Sequence, residues 1–287
     1  MNEYIGVVLI CADEGGGKTT QALSFPTPLR HFDIDVGGYR RASWRINTEG
    51  MTSKGYPKPI QLSKLMGSIL DEVTSRNIIP KKVEGMKELW QQIVFDFVAA
   101  CQDEEVKSIV IDTSTMLWVI CHSCYLQELQ EKQFSQYDAS KNGNRPWDDN
   151  MYRERLQPIE YGTPNDRMRT LFQIARSYSK NLILTHYPTD EYGGVADGRG
   201  NIVEGKTGKK VIDGFKESVK LADLVVWNKI VDREVNGINT KQVVSQITKC
   251  GLAGLGLSVV GMEMGASYES IINLRNLISP DVETASA

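Results

Sequence analysis

The most informative stretch of this chain runs from Tyr4 to Thr20 and reads YIGVVLICADEGGGKTT. Its first residues are apolar and largely β-branched, which predicts a buried strand over residues 4–11. A glycine-rich loop follows, and a helix is predicted after it, over residues 17–24. Glycines between a strand and a helix let backbone N–H groups curl around a phosphate, so the stretch predicts a P-loop.

Each position of this loop has an expected role in binding a nucleotide. Lys18 is expected to reach the β- and γ-phosphates, and the Thr19 hydroxyl to bind Mg²⁺. The first position is Ala12, where the common pattern has glycine, and the loop keeps its glycines after it. The alternative is a glycine-rich turn with an incidental lysine, and the order of strand, loop, Lys-Thr pair and helix argues against it. The predicted binding residues are Ala12, Asp13, Glu14, Gly15, Gly16, Gly17, Lys18, Thr19 and Thr20.

The rest of the chain alternates apolar strand-like runs with amphipathic stretches. This alternation indicates an α/β domain with a largely parallel sheet flanked by helices. The last two predicted strands flank Asn236-Gly237, which predicts an antiparallel hairpin at the carboxyl end. Strands are predicted at 30–35, 107–112, 181–186, 222–231 and 240–249, helices at 61–76, 84–102, 114–132, 164–179 and 266–278, and polar connections at 37–60, 133–163 and 187–214.

The pattern also predicts how the chain is divided. A core domain is expected over residues 1–250. Residues 251–287 are expected to add a glycine-rich segment, a weak helix and a frayed tail. No internal repeat is visible.

Composition excludes several classes of protein. Of the 287 residues, 41% are hydrophobic and 24% charged, which excludes a disordered or coiled-coil chain. The formal net charge is −3, so any surface for nucleic acid must be local. The five cysteines are odd in number and lie in apolar runs, which favours a reducing cytoplasm. No apolar run is long enough to span a bilayer and no secretion signal is visible, so we expect a soluble cytoplasmic protein without a membrane partner.

Carboxylates that follow two predicted strands complete the candidate site. Asp112 ends the apolar run SIVID and is expected to orient Mg²⁺ together with Thr19. Hydrolysis also needs a carboxylate that aligns and deprotonates water, and Asp33 and Asp35 are the candidates. A period of two places them on one face of a strand. The alternatives are a helix N-cap for Asp112 and ordinary loop polarity for the other two.

The order of these motifs resembles the core of RecA-type ATPases over roughly residues 1–250. The stretches KTTQALSFPTPLRHFDIDVGG, EYGTPNDRMRTL and DGFKESVKLADLVV are most similar to small phage-encoded RecA-like ATP-binding proteins of single-strand annealing and recombination. The resemblance implies a RecA-like P-loop NTPase that hydrolyses ATP with Mg²⁺. It also implies the host cytoplasm as location, and single-stranded DNA and phage recombination or replication proteins as partners.

The resemblance assigns roles to three further residues. Asp35 lies where RecA-type enzymes have a catalytic glutamate, although the shorter side chain requires a water relay if it cannot act directly. His186 lies where the family has a polar sensor of the γ-phosphate, or else is a satisfied histidine at a strand end. Lys249 lies where filament-forming members have lysines that reach a neighbour's ATP, or else is a solvated lysine. A homo-oligomer, ring or filament, is implied.

Two basic stretches are candidates for binding single-stranded DNA. Residues 198–210 carry Arg199, Lys206, Lys209 and Lys210, and residues 40–58 place five basic groups beside Trp44 and Tyr56. Basic groups next to aromatic rings suit backbone contact and base stacking. A solvated loop is the alternative for each stretch.

Two other functions are compatible with the sequence. A P-loop phosphotransferase for a small molecule would use the same Lys18 and Asp112 beneath a substrate lid. Four arginines could serve such a lid: Arg153, Arg155, Arg167 and Arg169. An ATP-gated binding module with little hydrolysis is the other alternative.

Overall fold

A mixed sheet runs through the centre of the protein. The computed structural model describes residues 4–59, 82–148, 151–196, 202–235, 238–252 and 255–278, and within these residues the sheet has eight strands. Its order is β10-β9-β8-β1-β5-β4-β2-β3. The strands of the sheet are β1 (Val7–Cys11), β2 (Leu29–Asp33), β3 (Met51–Gly55), β4 (Ser108–Asp112), β5 (Asn181–His186), β8 (Leu224–Val235), β9 (Ile238–Cys250) and β10 (Glu263–Gly265).

The six strands from β8 to β3 in this order pair in parallel, and β9 runs antiparallel to β8 and β10. Val235 faces Ile238 across the hairpin between β8 and β9, as the Asn-Gly signal predicts. The predicted fold class is therefore confirmed: a mostly parallel sheet with helices on its faces and an antiparallel hairpin. The parallel strands are buried on both faces, which explains why β1 reads as the uninterrupted apolar run VVLIC.

Helices cover both faces of the sheet. They are α1 (Lys18–Ala22), α2 (Gly38–Ala42), α3 (Met86–Gln102), α4 (Ser114–Ser135), α5 (Gly162–Ser177), α6 (Ser218–Leu221) and α7 (Tyr268–Ile278). Apolar residues of α3, α4 and α5 pack on one face, where Ile93, Leu117 and Phe172 are almost fully buried. On the other face, α1 and the segment after β9 pack together, since Leu23 and Ile271 belong to one buried cluster. Burial of both faces is the main stabilising contribution to such a layered domain.

Two stretches that the sequence presents as polar connections contain regular structure. Within residues 37–60 lie α2 and the edge strand β3, whose sequence MTSKG has no apolar alternation. Within residues 187–214, β6 (Pro188–Ala196) and β7 (Ile202–Ile212) form a separate antiparallel pair, here called the ribbon. The prediction of loops in these two places is wrong, because backbone pairing with a neighbouring strand outweighs weak local β-propensity.

The structure also bears on four other features of the sequence. The predicted helix 61–76 lies outside the described residues. The segment after residue 250 contributes β10 to the sheet and α7 to the second apolar cluster. All five cysteines are buried free thiols. None of the described helices has the length and apolar character that a membrane span requires.

Candidate nucleotide-binding site

A cleft opens at the edge of the sheet where the parallel strands β1, β2 and β4 have their carboxyl ends. In open α/β sheets this edge is the usual place for ligands, because loops and helix starts converge there. The cleft is lined by residues 14–20 together with Asp35, Gly38, Arg41, Ala42, Arg45, Asp112 and Tyr187.

The loop after β1 has the backbone shape that the sequence predicts for a P-loop. Gly15 and Gly17 have φ angles of 77° and 73°, in the left-handed region that favours glycine. At Gly16, a Cβ atom would lie 2.6 Å from the Cβ of Ala12, so a larger residue would collide with β1. Ala12 itself is 2% exposed and fits at the first position of the loop.

Lys18 begins α1 and points back into the loop. Its Nζ donates hydrogen bonds to the carbonyl oxygens of Ala12 (2.8 Å) and Asp13 (3.0 Å). The side chain lies beneath the ring of Tyr187 and is only 7% exposed as a residue. Burial lowers the pKa of this amine, and the carboxylate of Asp112 opposes that shift. Lys18 is thus a held cation whose charge an incoming phosphate would compensate.

Thr19 and Asp112 meet at the floor of the cleft. The Thr19 hydroxyl donates a 2.7 Å hydrogen bond to Oδ2 of Asp112, and the Thr185 hydroxyl donates to Oδ1. His31 completes this group, with its Nε2 3.6 Å from Oδ2 of Asp112. Burial raises the pKa of Asp112, but the hydrogen bonds from its neighbours outweigh burial and leave the pKa below the ordinary value. Asp112 therefore stays ionised at neutral pH, although it is buried.

The residues at this position suit Mg²⁺. A hydroxyl and an ionised carboxylate are hard oxygen donors of the type that Mg²⁺ prefers, and few protein ligands are needed when phosphates supply the others. A Cβ at Gly38 would lie 2.4 Å from Oδ2 of Asp112, so only glycine lets α2 start this close. Thr19 and Asp112 would hold the metal, and its charge would neutralise the phosphate oxygens.

Asp33 and Asp35 do not share a face, contrary to the sequence prediction. The strand β2 ends at Asp33, and the chain turns through Val36 (φ 48°) and Gly37 (φ 134°) into α2. Asp33 is buried and accepts a 2.9 Å hydrogen bond from the backbone N–H of Gly37. Asp35 is exposed in the cleft, where its Oδ2 accepts a 2.8 Å hydrogen bond from the Tyr187 hydroxyl. Of the two, Asp35 is the carboxylate that faces the cleft.

His186 ends β5 as predicted, but its ring does not reach the cleft. The ring is fully buried, and its Nδ1 donates a 3.0 Å hydrogen bond to the carbonyl of Asp213. Because alternate residues of a strand point to opposite faces, Thr185 is the β5 side chain that reaches Asp112. Burial lowers the pKa of His186 to about 4. The expected contact between His186 and a γ-phosphate is therefore corrected: Tyr187 is the residue that lines the cleft at this strand end.

Lys249 lies toward the end of the parallel strands that is opposite the P-loop. It pairs with Val225 near the start of β8, because β9 runs antiparallel to its neighbour. Its Nζ donates to three carbonyl oxygens at the end of α6 and beyond it, those of Val219, Lys220 and Ala222, at 2.7–2.9 Å. The expectation that this strand end borders the nucleotide edge is wrong, and the ammonium group is fully engaged within its own subunit.

The structure adds residues to the cleft that sequence reasoning places elsewhere or omits. Arg41 and Arg45 belong to the 40–58 stretch considered for DNA, yet both line the cleft. Arg41 and Arg45 are four residues apart, and this spacing on a helical segment predicts that both lie on one face. The sequence carries no signal for His31 and Thr185, because only the register of β2, β4 and β5 brings them to Asp112.

The two basic stretches differ from expectation in detail. On the ribbon, Lys206 and Lys210 both form ion pairs with Asp190, at 2.6 and 2.7 Å. In the other stretch, Tyr56 is buried and stacks on Phe32, and Trp44 is 72% exposed with the Arg45 guanidinium over its ring. Arg199 lies outside the described residues.

Comparison with known proteins agrees with this geometry. A family model described as an AAA domain matches residues 6–246, which is most of the chain. The match covers the P-loop, Asp112 and the strands of the sheet as far as the first part of β9. No curated protein matches the chain.

Proposed function

Since this chain belongs to the AAA-domain family, whose members are P-loop ATPases, we propose that it hydrolyses ATP with Mg²⁺. The observation that carries the proposal is the 2.7 Å hydrogen bond between the Thr19 hydroxyl and Asp112. It joins the P-loop to the end of a second strand at the place where a nucleotide-bound metal is held in such enzymes. The RecA-like subclass and a phage origin are part of the same proposal, and their support is the resemblance in sequence.

The chemistry follows from the groups that line the cleft. The N–H groups of the loop and the Lys18 ammonium bind the phosphates. Asp35 orients a water molecule, which attacks the γ-phosphorus as Asp35 accepts its proton. A bond forms between the water oxygen and phosphorus, and the bond from phosphorus to the β–γ bridging oxygen breaks. ADP leaves with that electron pair, and inorganic phosphate is the other product.

We further propose that the ribbon couples this site to single-stranded DNA. The ribbon starts directly after Tyr187, and it returns at Asp213, whose N–H donates a 2.9 Å hydrogen bond to the Tyr187 carbonyl. Exposed on it are Tyr192, a ring suited to base stacking, and Lys209. A change at the nucleotide therefore has a short path to a surface with the right chemistry for DNA. A phage recombination or replication protein is the partner that this activity implies.

A homo-oligomeric ring or filament also belongs to the proposal, on the basis of the RecA-type resemblance. Light scattering with and without ATP measures it directly.

One specific observation weighs against the phosphotransferase alternative. Three of the four arginines considered for a lid form ion pairs inside the subunit: Arg153 with Glu160, Arg167 with Glu128, and Arg169 with Glu217. Each of these three side chains would have to give up its ion pair before it could close over a substrate.

The decisive experiment measures ATP turnover by the full chain, with and without single-stranded DNA. We expect Mg²⁺-dependent release of phosphate that rises when DNA is added, and its loss in Lys18→Ala. If turnover is the same with and without DNA, the proposed coupling to DNA is wrong and the proposed ATPase activity stands. Binding of ATP without any turnover would favour the ATP-gated module, and transfer of phosphate to an added nucleotide would favour the phosphotransferase.

A further inference from the structure

Arg41 lies in the nucleotide cleft, and no carboxylate among the described residues forms an ion pair with it. We propose that Arg41 binds the terminal phosphate of the nucleotide in its own subunit and stabilises the charge that develops during hydrolysis. The inference rests on the proposed ATPase activity and names a residue that completes the same site.

The placement of Arg41 follows from how closely α2 begins against the metal-binding pair. A Cβ at Gly38 would lie 3.4 Å from the Thr19 hydroxyl oxygen and closer still to Asp112, so the start of α2 is packed on these two side chains. Arg41 comes three residues later, on the same face of the helix as Gly38. Its guanidinium folds back toward the helix start, since a Cβ at Gly37 would lie 3.5 Å from its Nη1.

Asp33 fixes this turn from below. Its carboxylate accepts the N–H of Gly37 at 2.9 Å, and β2 connects it to the register that also positions Asp112. The backbone that carries Arg41 is thus tied to the sheet rather than to a free loop. A tied backbone allows an arginine to be placed with the accuracy that phosphate recognition requires.

The charges around Arg41 indicate an anionic ligand. Among the described residues, no carboxylate forms an ion pair with its guanidinium, whereas the arginines of α5 are paired. Arg45, one turn further along, also lines the cleft, but its guanidinium lies over the Trp44 ring at 4.4 Å. A planar guanidinium presents several N–H donors in a geometry that matches phosphate oxygens. Arg41 is therefore the cation of α2 that lines the cleft and remains for the terminal phosphate.

Arg41 takes the role that the RecA-type resemblance gives to Lys249 of a neighbouring subunit. Phosphoryl transfer spreads charge over the equatorial oxygens of the γ-phosphate, and a basic side chain commonly stabilises it. Lys249 is held at the other edge of the sheet by three carbonyls. Arg41 supplies the same chemistry in cis, in the cleft that Asp35 also lines, so the site would be complete within one chain.

Arg40 offers a matched control for the test. It is the neighbouring residue of the same short helix, it is exposed and has the same charge, and it does not line the cleft. We compare Arg41→Ala, Arg41→Lys and Arg40→Ala in the full chain, with thermal melting to confirm that each is folded. Turnover is measured together with the affinities for ATP and ADP by calorimetry in the presence of Mg²⁺.

We expect Arg41→Ala to reduce turnover about 10³-fold or more, the range known for arginines that stabilise the transferring phosphate. It should also lower the preference for ATP over ADP while leaving ADP affinity unchanged, because ADP lacks the phosphate that Arg41 contacts. Arg41→Lys should restore little, since an ammonium does not reproduce the planar donor pair. Arg40→Ala should match the unmodified protein in all three quantities.

Failure of this inference differs visibly from failure of the proposed function. If Lys18→Ala loses nucleotide binding but Arg41→Ala behaves like Arg40→Ala, the arginine assignment is wrong and the ATPase stands. If Lys18→Ala binds ATP normally, the proposed function itself fails. A mixture of Lys18→Ala and Arg41→Ala should stay inactive, because neither chain has a complete site. Restored turnover in the mixture would show that Arg41 acts on a neighbour and would overturn the assignment in cis.

Discussion

The Nζ of Lys18 lies 4.2 Å from the centre of the Tyr187 ring. The ring lies over the ammonium group, which also donates hydrogen bonds to two loop carbonyls. A phosphate that reaches Lys18 must therefore displace the ring or share the cation with it. Tyr187 is also the residue before the ribbon, so the contact connects the P-loop to the start of β6.

This contact predicts the behaviour of Tyr187 variants. Tyr187→Ala should bind ATP several-fold more tightly, because a cation–π contact worth about 1 kcal/mol no longer competes for Lys18. Tyr187→Phe keeps the ring but loses the hydrogen bond to Asp35, so it should change turnover and leave ATP affinity as it is. Calorimetry and phosphate release measure the two effects. Weaker ATP binding by Tyr187→Ala would instead mean that the ring contacts the nucleotide.

Asp112→Asn should weaken Mg²⁺-dependent hydrolysis more than nucleotide binding. The amide has the same shape and can hydrogen-bond with Thr19 and Thr185, but it lacks the charge that a divalent ion needs. We therefore expect turnover to fall because Mg²⁺ is held less tightly. ATP affinity measured with a chelator in place of Mg²⁺ should be unchanged. An unaltered dependence of turnover on Mg²⁺ would remove Asp112 from the metal site.

The two aspartates after β2 should separate into a structural and a reacting residue. Asp35→Asn should leave ATP affinity and melting temperature unchanged and lower turnover by about 10²-fold, as expected for a general base. Asp33→Asn should lower the free energy of unfolding by about 1–3 kcal/mol, because the Gly37 N–H loses a charged acceptor. Loss of turnover in a stable Asp33→Asn protein, with Asp35→Asn active, would reverse the assignment.

The lysines of the ribbon should govern the salt dependence of DNA binding. Removal of charge at Lys206, Lys209 and Lys210 should lower the log–log salt slope by up to about 2, at about 0.7 per phosphate contact on a single strand. Salt titration of affinity for a fluorescent oligonucleotide measures the slope. An unchanged slope would leave these lysines as solvated ribbon residues.

Asp190 should restrain this binding. Hydrogen bonds from Lys206 and Lys210 hold its pKa at about 2, so it remains charged and occupies both lysines. Asp190→Asn should therefore strengthen DNA binding and steepen the salt slope. Glu104→Gln is the control, because it makes the same change in net charge at the other edge of the sheet. Equal effects of the two variants would point to net charge alone.

His186 should make the fold sensitive to mild acid. Burial lowers its pKa from 6.5 to about 4 in the folded state. Between these pH values the unfolded chain therefore binds a proton that the folded chain does not bind. The free energy of unfolding should therefore fall by about 3 kcal/mol as pH decreases from 6.5 toward 4. In His186→Gln this part of the decrease should disappear in urea titrations, while His122 titrates in both proteins. Parallel pH profiles would show that His186 is not the source.

The fold class and the P-loop could be predicted from the order of residues alone. A P-loop is a local structure, in which strand, glycines, lysine and helix are adjacent in the chain, so residues 4–20 were sufficient to predict it. The buried parallel strands were equally visible, because strands covered on both faces read as continuous apolar runs. Asp112 could be assigned because it follows such a run directly.

Which side chains reach the cleft depends on how the strands pair in three dimensions. The pleat of β5 directs Thr185 to Asp112 and His186 into the interior, a choice that the order of residues does not reveal. The end of β2 at Asp33, the burial of Tyr56 and the position of Lys249 depend on register and strand direction across the sheet. These contacts join residues far apart in the chain, and pairing sets them rather than local propensity. Arg41 entered the site for the same reason, since packing of Gly38 against Asp112 brings its helix there.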